Sequence, residues 1–123
     1  MDKKEIFQDL SIYLFNRIGK IYKGEEDPGD SIYNVLAHGK NIPPKARDLI
    51  PDRRYHDDFP IVYGFMSELG KIEEPPFQTY FSYLKEIAGR KKLDFMGTDT
   101  MRLLILNTLI VEYFQENWEK LYE

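Results

Sequence analysis

The fold is decided by the segment DTMRLLILNTLIVEYFQENWEKLYE, residues 99–123. It contains no glycine and no proline, and its first half is apolar on almost every side of a helix. A helix of that kind must be surrounded by other elements. We therefore predict an all-α fold, a compact bundle of about four main helices plus one or two short helices, with a long C-terminal helix at its centre.

Apolar residues at steps of three and four predict the other helices. These cover residues 4–22, 31–38, a short turn at 43–50, residues 59–70 and residues 75–89, and the last helix starts at Thr98 or Asp99. Asp30 stands where a side chain would cap the helix at 31–38, with Gly39 closing it. Residues 59–66 also favour a strand by composition, so the choice between helix and strand stays open there.

Composition bounds the class of protein. A chain of 123 residues predicts a single domain spanning residues 1–123. The absence of cysteine excludes disulfides, thiolate metal sites and cysteine nucleophiles. The first ten residues mix charges with single apolar residues, unlike a secretory signal, and no long uncharged apolar run predicts a membrane span. We expect a cytoplasmic protein that does not enter a membrane.

A basic segment at residues 40–54 raises the first alternative function. The overall charge of −4 argues against a general nucleic-acid coat. Two short helices around this segment nevertheless resemble a helix-turn-helix in outline. Nucleic-acid binding would then use its cations for phosphate contacts. These candidate phosphate-binding residues are Lys40, Lys45, Arg47, Arg53 and Arg54.

A metal-dependent phosphohydrolase is the second alternative. Its ligands would be His38, His56 and Asp57, completed by Asp94 or Asp99. Imidazole together with carboxylates suits divalent metals, yet this pattern is also that of a charged loop. No nucleophile elbow, phosphate-binding loop or dinucleotide motif is present. We therefore predict that the protein is not an enzyme and holds no metal or cofactor.

A surplus of aromatic residues favours binding to another protein. The chain has nine tyrosines, eight phenylalanines and one tryptophan, more than one small core needs. At the end of the last helix, aromatic residues alternate with glutamates. We predict that Trp118, Leu121 and Tyr122 anchor a contact and that Glu112, Glu116 and Glu119 form its polar rim. The competing interpretation is that the N-terminal helix covers these anchors within one molecule.

The sequence thus predicts a small protein–protein interaction or regulatory protein, of the accessory, inhibitor or immunity type. Its partner would be another protein or a second copy of itself, as a homodimer. This class follows by analogy with other small acidic helical proteins that lack cofactor motifs.

Overall fold

The computed structural model describes residues 2–38, 44–50, 60–89 and 99–121. Within its helices the side chains of residues 34–38, 44, 45, 47, 60, 89, 99–102 and 120 lie outside the description. The described residues form six helices and no strand, which confirms the predicted all-α fold. The helices are α1 (Lys3–Tyr22), α2 (Pro28–His38), α3 (Pro44–Leu49), α4 (Pro60–Gly70), α5 (Pro75–Gly89) and α6 (Asp99–Leu121).

The C-terminal helix is the hub of this arrangement. α6 packs against each of the five helices that precede it. All seven side chains from Thr108 to Phe114 are buried, so its middle is covered on every side. Burial of one large apolar side chain, such as that of Phe114, contributes roughly 1.5–3 kcal/mol to stability. The prediction of a long central helix is confirmed. A helix that is apolar on all sides is removed from water only when other elements surround it.

Both ends of α1 are set by local sequence. At its start, the Asp2 side chain accepts a hydrogen bond of 2.9 Å from the backbone N–H of Glu5. At its end, Gly24 takes a positive φ of 74°, which costs a glycine little. This turn lets the Glu25 N–H reach back to the carbonyl of Lys20 at 2.9 Å. The last carbonyls of the helix are thereby satisfied.

The start of α2 corrects one expectation. Asp30 does not cap this helix; it lies inside the first turn, because the helix already begins at Pro28. The residue before Pro28, Asp27, accepts a hydrogen bond of 2.8 Å from the backbone N–H of Gly29. Proline is favoured at the first helical position, where no N–H is needed. The Asp27-Pro28 pair therefore starts the helix one turn earlier than predicted.

The segment from residue 60 is helical, which settles the choice left open there. The Pro60–Gly70 helix buries Val62, Phe65 and Leu69 on one stripe. The rings of Phe65 and Phe7 meet edge to face, with centroids 5.3 Å apart. Near this contact Lys3, at the start of α1, pairs with Glu68, near the end of α4. The two helices therefore run antiparallel.

Candidate protein-binding face on the last helix

A polar cluster around Arg17 joins α1, α2 and α6. Arg17 Nε donates to Glu26 Oε1 at 2.6 Å, and Nη2 donates to Ser31 Oγ at 2.6 Å. Nη1 donates to the Tyr13 hydroxyl and lies 3.1 Å from Glu112 Oε2. The guanidinium also lies 5.2 Å from the centroid of the Tyr13 ring. We call these five residues the Arg17 cluster.

The electrostatics of the Arg17 cluster keep its arginine charged and its phenol neutral. Burial opposes the charge of Arg17, but the bond to Glu26 and the nearby Tyr13 and Glu112 raise its pKa above the usual range. Burial raises the pKa of Tyr13, helped by the carboxylates of Glu116, Glu112 and Glu26 and opposed by Arg17. The Tyr13 hydroxyl therefore keeps its proton at neutral pH.

Within the cluster, Glu112 is held by charge more than by hydrogen bonding. Its residue is 9% exposed, and its Oε2 atom has no hydrogen-bond partner in the described part of the chain. The 3.1 Å separation from Arg17 Nη1 is thus an ion pair without hydrogen-bond alignment. A buried carboxylate needs such a partner, because desolvating an unpaired charge costs several kcal/mol.

A second polar contact lies beside the first, also between α1 and α6. The Tyr113 hydroxyl donates to Asp9 Oδ2 at 2.8 Å. Burial and this bond raise the pKa of Tyr113. The rings of Tyr113 and Tyr13 lie 5.4 Å apart between centroids. Aromatic bodies therefore fill the contact between these helices, while their hydroxyls point to carboxylates at its edge.

The last turns of α6 leave one side of the helix accessible. Glu116, Trp118 and Glu119 are exposed, and Gln115 is partly buried. At 100° per residue these positions cover a sector of about 160°, with Trp118 at one edge and Glu116 at the other. We call these four residues the α6 terminal face. At the Glu116 edge, the Tyr13 hydroxyl lies 3.5 Å from Glu116 Oε2, so this face borders the Arg17 cluster.

Trp118, Glu116 and Glu119 are exposed as a contact surface requires, and Trp118 keeps 48% of its surface accessible. Two other proposed contact residues need correction. Leu121 is only 7% exposed, since it follows Phe114 by two helical turns and shares its core-facing side. Glu112 is turned to Arg17. Tyr122 lies outside the described residues.

The residues proposed for the two alternative functions lie either outside the described ranges or in helices where their side chains are not described. Lys45 and Arg47 belong to α3, His38 ends α2 and Asp99 begins α6, all without described side chains. The others, outside the described ranges, are Lys40, Arg53, Arg54, His56, Asp57 and Asp94. Among the described residues, no group of three or more histidines or carboxylates could hold a metal ion. Both alternatives therefore stay predictions.

Sequence reasoning missed the Arg17 cluster. Neither Tyr13 nor Arg17 is among the residues for which the sequence predicts a role. One signal was available, because residues four apart share a helix face. Tyr13 and Arg17 therefore had to lie side by side at the edge of the buried stripe. The partners Glu26, Ser31 and Glu112 carried no comparable signal, because they come from other elements.

Comparison with protein-family models, with curated proteins and with solved structures finds no match for this chain. Within the described ranges, none of the helices has the length and apolar content needed to cross a membrane. The case for a function therefore comes from the chain's own surface.

Proposed function

We propose that this is a small non-enzymatic protein that binds another protein through the α6 terminal face. Its role would be regulatory or accessory, in the manner of an inhibitor or immunity protein. In this proposal Trp118 is the anchor, and Glu116 and Glu119 are the polar rim.

The exposure of Trp118 carries this proposal. The seven residues before Gln115 are buried, whereas Trp118 keeps 48% of its surface accessible about one turn beyond that stretch. Tryptophan is the residue type most often found as an energetic anchor at protein interfaces. Its large ring gains contact area on binding while losing little side-chain freedom. Covering it with a partner would remove about half a tryptophan from water.

An affinity-capture experiment tests this proposal. The tagged chain is used to capture proteins from a lysate of its source cells, beside the variants Trp118→Ala and Tyr33→Ala. Tyr33 is a matched control, because it is an exposed aromatic residue, at 72%, on another helix. We expect one partner to bind the wild type and the Tyr33→Ala variant alike. A hot-spot loss of about 2 kcal/mol would weaken binding to Trp118→Ala roughly thirtyfold.

Equal recovery of the partner by Trp118→Ala would contradict the proposal. Circular dichroism of the variant serves as the folding control. Global unfolding of Trp118→Ala would also contradict it, because Trp118 would then belong to the core.

A further inference from the structure

We infer that the partner of the α6 terminal face is a different protein and that it binds through a positively charged segment. Arginine side chains of that segment would pair with Glu116 and Glu119. This inference rests on the proposed function and names the chemistry of the partner. The arginines would also contact the ring of Trp118.

The first support is a row of three glutamates on α6, of which one already forms an ion pair within the chain. Glu112, Glu116 and Glu119 follow one another at steps of four and three, so they share one side of α6. Arg17 of α1 meets the first carboxylate, Glu112, at 3.1 Å. Among the described residues, the only polar contact of the Glu116 side chain is the 3.5 Å contact with the neutral Tyr13 hydroxyl. Glu119 is exposed and makes no ion pair within the described residues.

The second support is the chemistry that the Arg17 cluster displays one turn away. There a guanidinium lies between carboxylates and against the face of a tyrosine ring. The α6 terminal face offers the same two groups on the surface, carboxylates and an aromatic ring. Tryptophan is the aromatic residue that attracts cations most strongly. Guanidinium matches carboxylates with two parallel donors, which favours arginine over lysine.

The third support distinguishes a different protein from a second copy. A two-fold dimer places the same surface of both chains together. Glu116 and Glu119 of both chains would then lie in one interface, which brings four carboxylates together. Like charges brought together are destabilising, and the interior of an interface strengthens the repulsion. A different protein that places cations opposite Glu116 and Glu119 avoids this repulsion.

The test uses the chain's single tryptophan as its probe. An alanine-based peptide with arginines at steps of four and three is titrated into the whole chain at low salt, and Trp118 fluorescence is recorded. The control peptide carries glutamine in place of each arginine. We expect a saturable shift to shorter wavelength with the arginine peptide alone. The affinity should fall with added salt, because exposed ion pairs are screened.

A matched pair of variants locates the effect. Glu116→Gln with Glu119→Gln removes two charges from the face, whereas Glu5→Gln with Glu73→Gln removes two exposed charges elsewhere. We expect the first pair to bind the arginine peptide about tenfold more weakly and the second pair to bind like the wild type. Equal affinity of both pairs, or no saturable binding by the arginine peptide, would overturn the inference.

Three further outcomes separate this inference from the proposed function. A partner that depends on Trp118 but binds the Glu116→Gln, Glu119→Gln variant unchanged would overturn the charge inference and leave the proposed function standing. Sedimentation equilibrium could instead show a concentration-dependent dimer that is lost in Trp118→Ala. That result would assign the face to a second copy of the chain and would also overturn the charge inference. A partner that ignores Trp118 would remove the proposed function itself.

Discussion

Two successive stretches of α6 meet water in different ways. From Thr108 to Phe114 every side chain is buried, and five helices surround the hub. From Gln115 to Glu119 no side chain is fully buried, and three are exposed. The same helix thus serves as core in its middle and as surface near its end. Because the backbone conformation is the same in both stretches, the difference comes from the side chains and from how far the neighbouring helices extend over them.

The sharpest way to break this comparison is to truncate a side chain in the middle stretch. Phe114 is completely buried, so Phe114→Ala should lower the free energy of unfolding by about 4 kcal/mol through lost burial and the cavity left behind. Urea denaturation followed by circular dichroism measures the change. Glu119→Ala, five residues later, should stay within about 0.5 kcal/mol. A cost below 1 kcal/mol at Phe114 would mean that the middle of α6 is not enclosed.

The next prediction concerns the ion pair that the buried Glu112 of the middle stretch forms with Arg17. Arg17→Met should lower the free energy of unfolding by about 3 kcal/mol, because it leaves Glu112 buried without a cation. Adding Glu112→Gln should restore part of this loss, since the stranded charge is then gone. A double-mutant cycle measures the coupling, with the exposed Lys20→Met as control. Simple additivity of the two substitutions would show that the ion pair contributes nothing.

A buried carboxylate outside α6 provides a reference for that effect. Glu68 is buried between Lys3 at 3.0 Å and Lys71 at 3.1 Å. Burial alone would raise its pKa, but the hydrogen bonds and charges of the two lysines hold the pKa below its usual range. A lowered pKa in the folded state adds stability at neutral pH, and this is lost as the pH falls from the unfolded value of about 4.3 through the folded one.

Glu68→Gln should therefore cost about 1–2 kcal/mol at pH 7 and progressively less below about pH 4. Denaturation curves at a series of pH values measure this, with the exposed Glu73→Gln as control. A pH-independent difference between wild type and variant would contradict the assigned role of the two lysines.

One substitution directly before the middle stretch should stabilise the protein. The side-chain oxygen of Asn107 is buried and has no hydrogen-bond partner among the described residues. Asn107→Leu removes that unsatisfied group and raises helix propensity, so it should stabilise the fold by about 1 kcal/mol. Thermal denaturation measures the change. Destabilisation would instead indicate that the amide serves an interaction worth keeping.

The smallest effect is expected on the exposed side of the comparison. Trp118→Ala should lower the free energy of unfolding by about 1 kcal/mol or less, because only half of the ring is buried. The same urea titration as for Phe114→Ala makes the two values comparable. A loss of 3 kcal/mol or more would place Trp118 with the core.

The helices were predictable because their signals are local. The predicted ranges 75–89 and 99 onward match α5 and α6, and a proline or glycine marks most of the ends. The error at Asp30 was local too, because two aspartates stood close enough to cap the same helix. The sequence of residues 59–66 could not separate helix from strand, since Phe, Ile, Val and Tyr fill buried strands as readily. Only packing against Phe7 and its neighbours decides that case.

The candidate site was predictable only in part, for a related reason. Periodicity along α6 places Trp118 and Glu119 on the helix but does not say how far the other helices extend over it. Leu121 and Glu112 were therefore mistaken for surface contacts. The Arg17 cluster joins residues from α1, the following loop, α2 and α6, and no spacing within one helix reveals such a set.

By itself the sequence determined that this chain is helical and that the apolar middle of α6 must be enclosed, because side-chain chemistry and the 3.6-residue repeat act within one segment. The tertiary structure decided which polar groups meet across segments. It turned Glu112 inward to Arg17 and left Glu116, Glu119 and half of Trp118 facing outward. That division depends on distances between helices, which no single stretch of sequence contains.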